Sequence, residues 1–148
     1  MVIEEEKIAY KNVVSQSYWV HYTDFDKALK DFINNVLSEG LTLAGNLFYS
    51  LNNVPIDENM HVEIFVPIRE EGYSGGSGLT FRSYFLIDQM IMSRYTGDYQ
   101  KLTEFAYAEI LRHMDEENLE QITPFFHELA GDRSLQYTQL KVGVREKI

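Results

Sequence analysis

An internal repeat restricts this chain more than any single motif does: the order strand, helix, strand, strand is written twice within 148 residues. Val13 to Thr23 is rich in β-branched and aromatic residues, with Val14, Tyr18 and Val20 at even spacing, which predicts a strand. Asp24 follows as an N-cap, its carboxylate suited to accept from the free N–H groups of the next turn. Leu29, Phe32, Ile33, Val36 and Leu37 then share one helical face, with Lys27, Lys30 and Asp31 on the other, and Gly40 closes the helix. Leu47 to Leu51 and His61 to Ile68 predict two more strands, joined by a turn around Asn52, Asn53 and Pro55.

The second half repeats that order. Ser83 to Ser93 is strand-like, and Tyr95-Thr96-Gly97-Asp98 echoes Tyr22-Thr23-Asp24. A helix follows with Leu102, Phe105, Ala106 and Ile110 on one face. Ile122 to Leu129 predicts a strand, and Tyr137 to Arg145 another, with Thr138, Leu140, Val142 and Val144 on one side. Matching Tyr22 to Tyr95 offsets the halves by 73 residues, and the last strands match at about 78. The expected fold is therefore α+β: duplicated β-α-β-β units forming an antiparallel sheet with helices on one face. Residues 1–148 form a single domain, as this length favours, with half-repeats over 10–69 and 82–147 and a Gly-rich linker over 70–80. That linker has four glycines, but no Gly-Lys-Ser/Thr follows and Glu70 and Glu71 would repel phosphate. Gly45 reads as turn chemistry.

Thirteen Lys and Arg against 23 Asp and Glu leave a net charge of −10, which opposes direct nucleic-acid binding and adhesion to an anionic membrane. Without Cys there is no disulfide, thiolate metal site or cysteine nucleophile. The acidic start and the lack of an apolar run near 18 residues point to a cytoplasmic protein. His21, His61, His113 and His127 have no metal-binding spacing, and no dinucleotide fingerprint or serine elbow occurs, so no metal, cofactor or catalytic residue is expected.

A sheet covered on one face leaves its other face to solvent or to a ligand. Val62, Ile64, Val66 and Ile68 should face the helices, leaving His61, Glu63, Phe65 and Pro67 opposite. Tyr137, Gln139, Lys141, Gly143 and Arg145 form the equivalent polar face of the last strand. Tyr18 and Trp19 must point to opposite faces, so one of them is available to line a groove. Glu63 and Lys141 fit either a solvated face with a cross-strand ion pair or a ligand site. His127 and Glu128 point to opposite faces of their strand.

Three stretches carry a family resemblance: Glu39-Gly40-Leu41-Thr42-Leu43-Ala44-Gly45, His61-Val62-Glu63-Ile64-Phe65-Val66-Pro67-Ile68 and Tyr95-Thr96-Gly97-Asp98-Tyr99-Gln100-Lys101-Leu102. In this order, over residues 10 to 147, the chain resembles the GyrI-like effector-binding domains of bacterial transcription activators, related to the SHS2 module. The resemblance implies a groove between the halves that takes small aromatic or cationic molecules, with an acidic residue from the second half inside it. Glu128 in Phe125-Phe126-His127-Glu128-Leu129 is the position it selects, with Trp19, Tyr49 and Phe126 lining the groove and Glu63 adding charge. Ala130 stands where the family has the tyrosine of a Glu-x-Tyr pattern, which counts against a hydrolase. A register shifted by two would put Phe126 at the acidic position. No helix-turn-helix precedes these residues, so a stand-alone ligand-binding module is expected. The alternatives are an interaction protein (a chaperone or secretion accessory holding a basic partner on its acidic surface) and a small-molecule hydrolase of the same fold.

Overall fold

The computed structural model describes residues 1–53, 58–96, 99–131 and 136–148, with backbone alone at 99–102, 131 and 136. Among the described residues, six strands and two α-helices lie in the order β1 (Val2–His21), α1 (Phe25–Ser38), β2 (Phe48–Leu51), β3 (Asn59–Pro67), β4 (Thr80–Tyr95), α2 (Tyr99–Glu116), β5 (Leu119–Gly131) and β6 (Gln136–Glu146). This is the expected α+β class, with antiparallel pairing in β1–β3, β2–β3, β4–β6 and β5–β6. The chain divides into two compact units, one of residues 9–85 and one of residues 1–8 with 86–148. Both divisions fall inside strands, β1 and β4, so each of these two strands contributes to both units. No helix among the described residues is long and apolar enough to cross a membrane.

In the 9–85 unit, Ala28, Phe32 and Val36 of α1 pack on Val14, Tyr49, Leu51, Val62, Ile64 and Val66. In the other unit, Ala106, Ile110 and Met114 of α2 pack on Ile91, Phe125, Leu140 and Val142. The two helical triplets sit at the same spacing, 28 to 106, 32 to 110 and 36 to 114, an offset of 78. Strand register agrees: Val14↔Val66 corresponds to Ile91↔Val142, and Tyr18↔Val62 to Tyr95↔Thr138. Tyr95 therefore matches Tyr18 and not Tyr22, an offset of 77, because the first strand runs three residues beyond Tyr18 before a 3₁₀ turn at Tyr22–Asp24. Backbone conformation repeats as well. Asn12 and Gln89 are left-handed at φ 54° and 53°, each two residues before the first pair just given, at Val14 and Ile91. Gly40 and Asn118, at φ 77° and 55°, each follow a helix, where a left-handed residue ends the helical turn.

Several local expectations are corrected. β1 begins at Val2 and not Val13, its first half masked in sequence by Glu4, Glu5, Glu6, Lys7 and Lys11. Asp24 occupies the N-cap position but its side chain makes no cap bond. Phe105 is 65% exposed, because the strip meeting the sheet runs through 106, 110 and 114, and Leu37 is exposed at the last turn of α1. Gly45 serves close approach: a Cβ there would lie 3.0 Å from Pro67 Cγ. The Gly-rich segment is tied to α1. Tyr73 packs on the core and its hydroxyl donates to Glu39 Oε1 (2.9 Å), while Asn35 Nδ2 donates to the Ser77 carbonyl (3.1 Å). Pro55, Gly97 and Asp98 lie outside the described residues, as does the Leu102 side chain.

Candidate functional site

Strand alternation places Met90, Met92 and Arg94 of β4, Phe126 and Glu128 of β5, and Gln139 and Lys141 of β6 on the face turned away from α2. Register sets them in two rows, Met92–Lys141–Phe126 and Arg94–Gln139–Glu128. Across the diagonal, Lys141 Nζ donates to Glu128 Oε1 at 2.9 Å, and it also donates to the Lys7 carbonyl at 2.8 Å, with Glu6 Oε2 4.0 Å away. With the Gln139 amide turned to satisfy its neighbours, its nitrogen donates to Glu128 Oε1 and its oxygen accepts from Arg94, both at 3.0 Å. Arg94 lies 4.7 Å over the Tyr137 ring, a cation–π contact. Glu128, Lys141 and Phe126 are 6%, 5% and 4% exposed, so the charges sit in a low-dielectric setting.

The same rows in the first repeat read Ser15–Phe65–Phe48 and Ser17–Glu63–Ser50. Phe65 stands where Lys141 does, and Ser50 where Glu128 does. Glu63 Oε2 accepts from Ser15 Oγ at 2.7 Å and from Arg82 at 3.4 Å, and Arg82 also donates to Ser15 Oγ at 2.8 Å. Tyr10, Phe48 and Phe65 stack, and Phe85 meets Phe48 and Phe65 tilted by 58°, with centroids 4.7–5.4 Å apart. Glu63 thus pairs with Arg82, and Lys141 with Glu128, in place of the Glu63–Lys141 pairing that alternation suggested. Partner choice depends on register between strands distant in sequence, which alternation within one strand does not carry.

The remaining sequence-selected residues separate. Tyr49 faces α1, buried, with its ring 4.8 Å from Phe25, and so shares no face with Trp19 or Glu63. Tyr18 faces α1 and Trp19 the opposite side, where its indole stacks on the cross-strand neighbour His61 at 4.5 Å and 7°. Trp19 is 69% exposed. Phe126 and Glu128 share the face described above. Sequence reading placed Gln139 on the polar face of the last strand without selecting it as a site residue, and passed over Arg94 and Met92.

His127, on the opposite face from Glu128, takes the place that Tyr49 has in the first repeat. Its Nε2 lies 2.9 Å from Tyr107 Oη and its Nδ1 3.3 Å from Tyr95 Oη, which accepts from Thr103 Oγ1 at 3.0 Å. Burial lowers its pKa from 6.5 to about 3, so the imidazole is neutral in the fold. Among the described residues no three His, Asp or Glu side chains converge as metal ligands.

Comparison with known proteins places this geometry. No curated protein sequence matches the chain significantly. The crystal structure of the EcmrR C-terminal domain superposes with a TM-score of 0.79 at 16% identity, covering 99% of this chain and 98% of that one. In the cryo-EM structure of the EcmrR–DNA complex the TM-score is 0.81 at 18% identity, over 99% of this chain and 58% of that one. An integron cassette protein from the mobile metagenome of Vibrio cholerae matches with a TM-score of 0.51 at 10% identity, over 97% of this chain and 99% of that one. At these identities the likeness is one of fold. The family model for the domain of unknown function DUF5085 matches residues 9–146, and the chain belongs to that family.

Proposed function

We propose that the protein is a small-molecule-binding module whose ligand is an aromatic cation, seated on Glu128 at the face turned away from α2. One observation carries this reading: the Glu128–Lys141 pair stands where the first repeat has Ser50 and Phe65. The first repeat carries its own ion pair, Glu63–Arg82, at other positions, so the fold does not need charges at these two. A buried ion pair adds little stability over an apolar pair of similar volume, and is weak evidence for a structural role. The Lys141 ammonium, held at 2.9 Å, stands in for the cationic group of a ligand, and Phe126, Met90 and Met92 supply apolar surface on the same face. The resemblance to GyrI-like effector-binding domains supports the same class of ligand. Hydrolysis is disfavoured, because Lys141 and Gln139 both donate to the carboxylate that would have to take a proton.

The test is a thermal-shift series with a flat aromatic cation such as rhodamine 6G and with neutral and anionic dyes of similar shape. A ligand that binds only the folded state raises Tm by mass action. The expected result is stabilisation by the cation alone, lost in the double variant Glu128→Gln/Lys141→Met, which keeps the face filled and neutral. Equal stabilisation by all three dyes, or binding that survives the double variant, contradicts the reading.

A second reading has its own observation. Phe105 and Leu111 are exposed on α2 of a chain with net charge −10, a surface suited to a basic protein partner with an apolar anchor. Salt-sensitive binding of a basic protein, weakened by Phe105→Ser, would support it.

A further inference from the structure

Lys141 Nζ carries three N–H groups, and its pair with Glu128 uses only part of that capacity. One goes to Glu128 Oε1 at 2.9 Å and one to the Lys7 carbonyl at 2.8 Å. Glu6 Oε2 stands 4.0 Å away, too far for a hydrogen bond. Charge-assisted contacts of this kind close at about 2.8 Å, so a shift of roughly 1 Å joins the ammonium to Glu6. The Glu6 side chain is 32% exposed against 8% for Glu128, so the same shift carries the charge towards water. Lys7 follows Glu6 in β1, and its carbonyl is a contact the ammonium can keep through the move. All four residues belong to the unit of residues 1–8 and 86–148.

Charge balance decides what a bound cation requires. With Lys141 in place, a ligand cation against Glu128 puts two positive charges on one buried carboxylate, and an uncompensated buried charge is strongly unfavourable. Handing Lys141 to Glu6 leaves two pairs and no excess: ligand with Glu128, ammonium with Glu6. The exchange is unfavourable by itself, since one cation only replaces another and Lys141 gives up its closest counter-charge. A small ammonium brings nothing that offsets this. A large flat cation does, by covering the apolar surface of Phe126, Met90 and Met92 on the same face. The first repeat keeps the two roles together: with Ser50 at the place of Glu128 it has Phe65 at the place of Lys141, so carboxylate and resident cation are absent from these positions as a pair.

We propose that Lys141 is the specificity-determining residue of the Glu128 site: a resident cation that a ligand must displace onto Glu6, and that only a cation with a large apolar face displaces. This rests on the reading that Glu128 seats the ligand, and adds how the site rejects small cations.

Isothermal titration calorimetry of the whole chain with rhodamine 6G and with tetramethylammonium tests this. Wild type should bind rhodamine 6G and not tetramethylammonium. Lys141→Met should bind rhodamine 6G about tenfold tighter, because no resident cation has to move, and should also take up tetramethylammonium. Glu6→Gln is a half-exposed change that leaves the buried pair intact. It should weaken rhodamine 6G about threefold in the wild-type background and leave it unchanged in Lys141→Met. Equal or lower rhodamine 6G affinity in Lys141→Met, or exclusion of tetramethylammonium from it, would overturn the proposal. So would a Glu6→Gln effect that is absent from wild type, or of one size in both backgrounds, since Glu6 would then not act through Lys141. Rhodamine 6G binding that is missing from every variant, or that is as tight in Glu128→Gln/Lys141→Met as in Lys141→Met, would overturn the function proposed above and this inference with it.

Discussion

At Glu128 the local chemistry gives a sharp stability prediction. Replacing Glu128 by Gln leaves the Lys141 ammonium buried with its nearest counter-charge gone, and Glu6 at 4.0 Å is too far to compensate fully. The cost should be about 3 kcal/mol, and most of it should return in Glu128→Gln/Lys141→Met, as measured by urea unfolding. Equal destabilisation of the single and double variants would mean that the pair is not the cause. His127 sets a pH dependence. The unfolded chain protonates this imidazole near pH 6.5 and the folded protein only near pH 3, so stability falls as pH drops from 6.5 towards 3. By pH 5 the loss is roughly 2 kcal/mol. Wild type should therefore lose about that much more than His127→Gln between pH 7.5 and pH 5, and parallel losses would contradict a neutral buried imidazole. Strand alternation alone put His127 and Glu128 on opposite faces. It did not reveal Lys141 as the partner of Glu128, because Lys141 is positioned by register and by the carbonyl of Lys7 at the far end of the chain.

At the scale of elements the two helices end alike, on Gly40 and Asn118, both left-handed. A Cβ at Gly40 meets nothing within 4 Å, so Gly40→Ala should cost about 1 kcal/mol from backbone strain alone. Asn118→Gly should stabilise by a few tenths of a kcal/mol up to about 1, and Asn118→Val should destabilise by about 1 to 2. Urea midpoints of the three variants check this, and a stabilised Gly40→Ala would refute the strain argument. The helices and later strands were legible because their apolar periodicity is strong, as with Phe32 and Val36 or Leu140 and Val142. The first half of β1 was not legible. Glu4 to Lys7 form an unbroken run of charges that interrupts the period-two pattern ahead of the buried Ile8. The exposure of Phe105 was hidden too, since a helical face drawn from sequence spans more than the strip that meets the sheet.

Across the whole molecule, one compact unit is residues 9–85 and the other joins residues 1–8 to 86–148. Residues 1–8 belong with 86–148, where Val2 packs on the α2 core and Lys7 supplies its carbonyl to Lys141. A fragment beginning at Leu79 therefore lacks part of its own unit. It should unfold without a cooperative transition, and a peptide of residues 1–12 should restore one, as followed by circular dichroism. Cooperative unfolding of the fragment alone would show that the first strand is dispensable. Duplication was legible from the order of elements, whereas the exchange of strand segments between units was not, because no local pattern marks where a continuous strand passes from one unit to the other. The proposed ligand site has the same history: strand alternation located the face, and only the register revealed which charges meet on it. The most direct measurement is methyl NMR on protein labelled at its five methionines, titrated with a flat aromatic cation. Met90 and Met92 share the Glu128 face, while Met114 is on the buried side of α2 and Met60 in the core of the other unit. Selective shifts at Met90 and Met92, absent with the anionic analogue, are the predicted result. Saturable shifts that spare both, or no shifts at all, would contradict the placement of the ligand on Glu128.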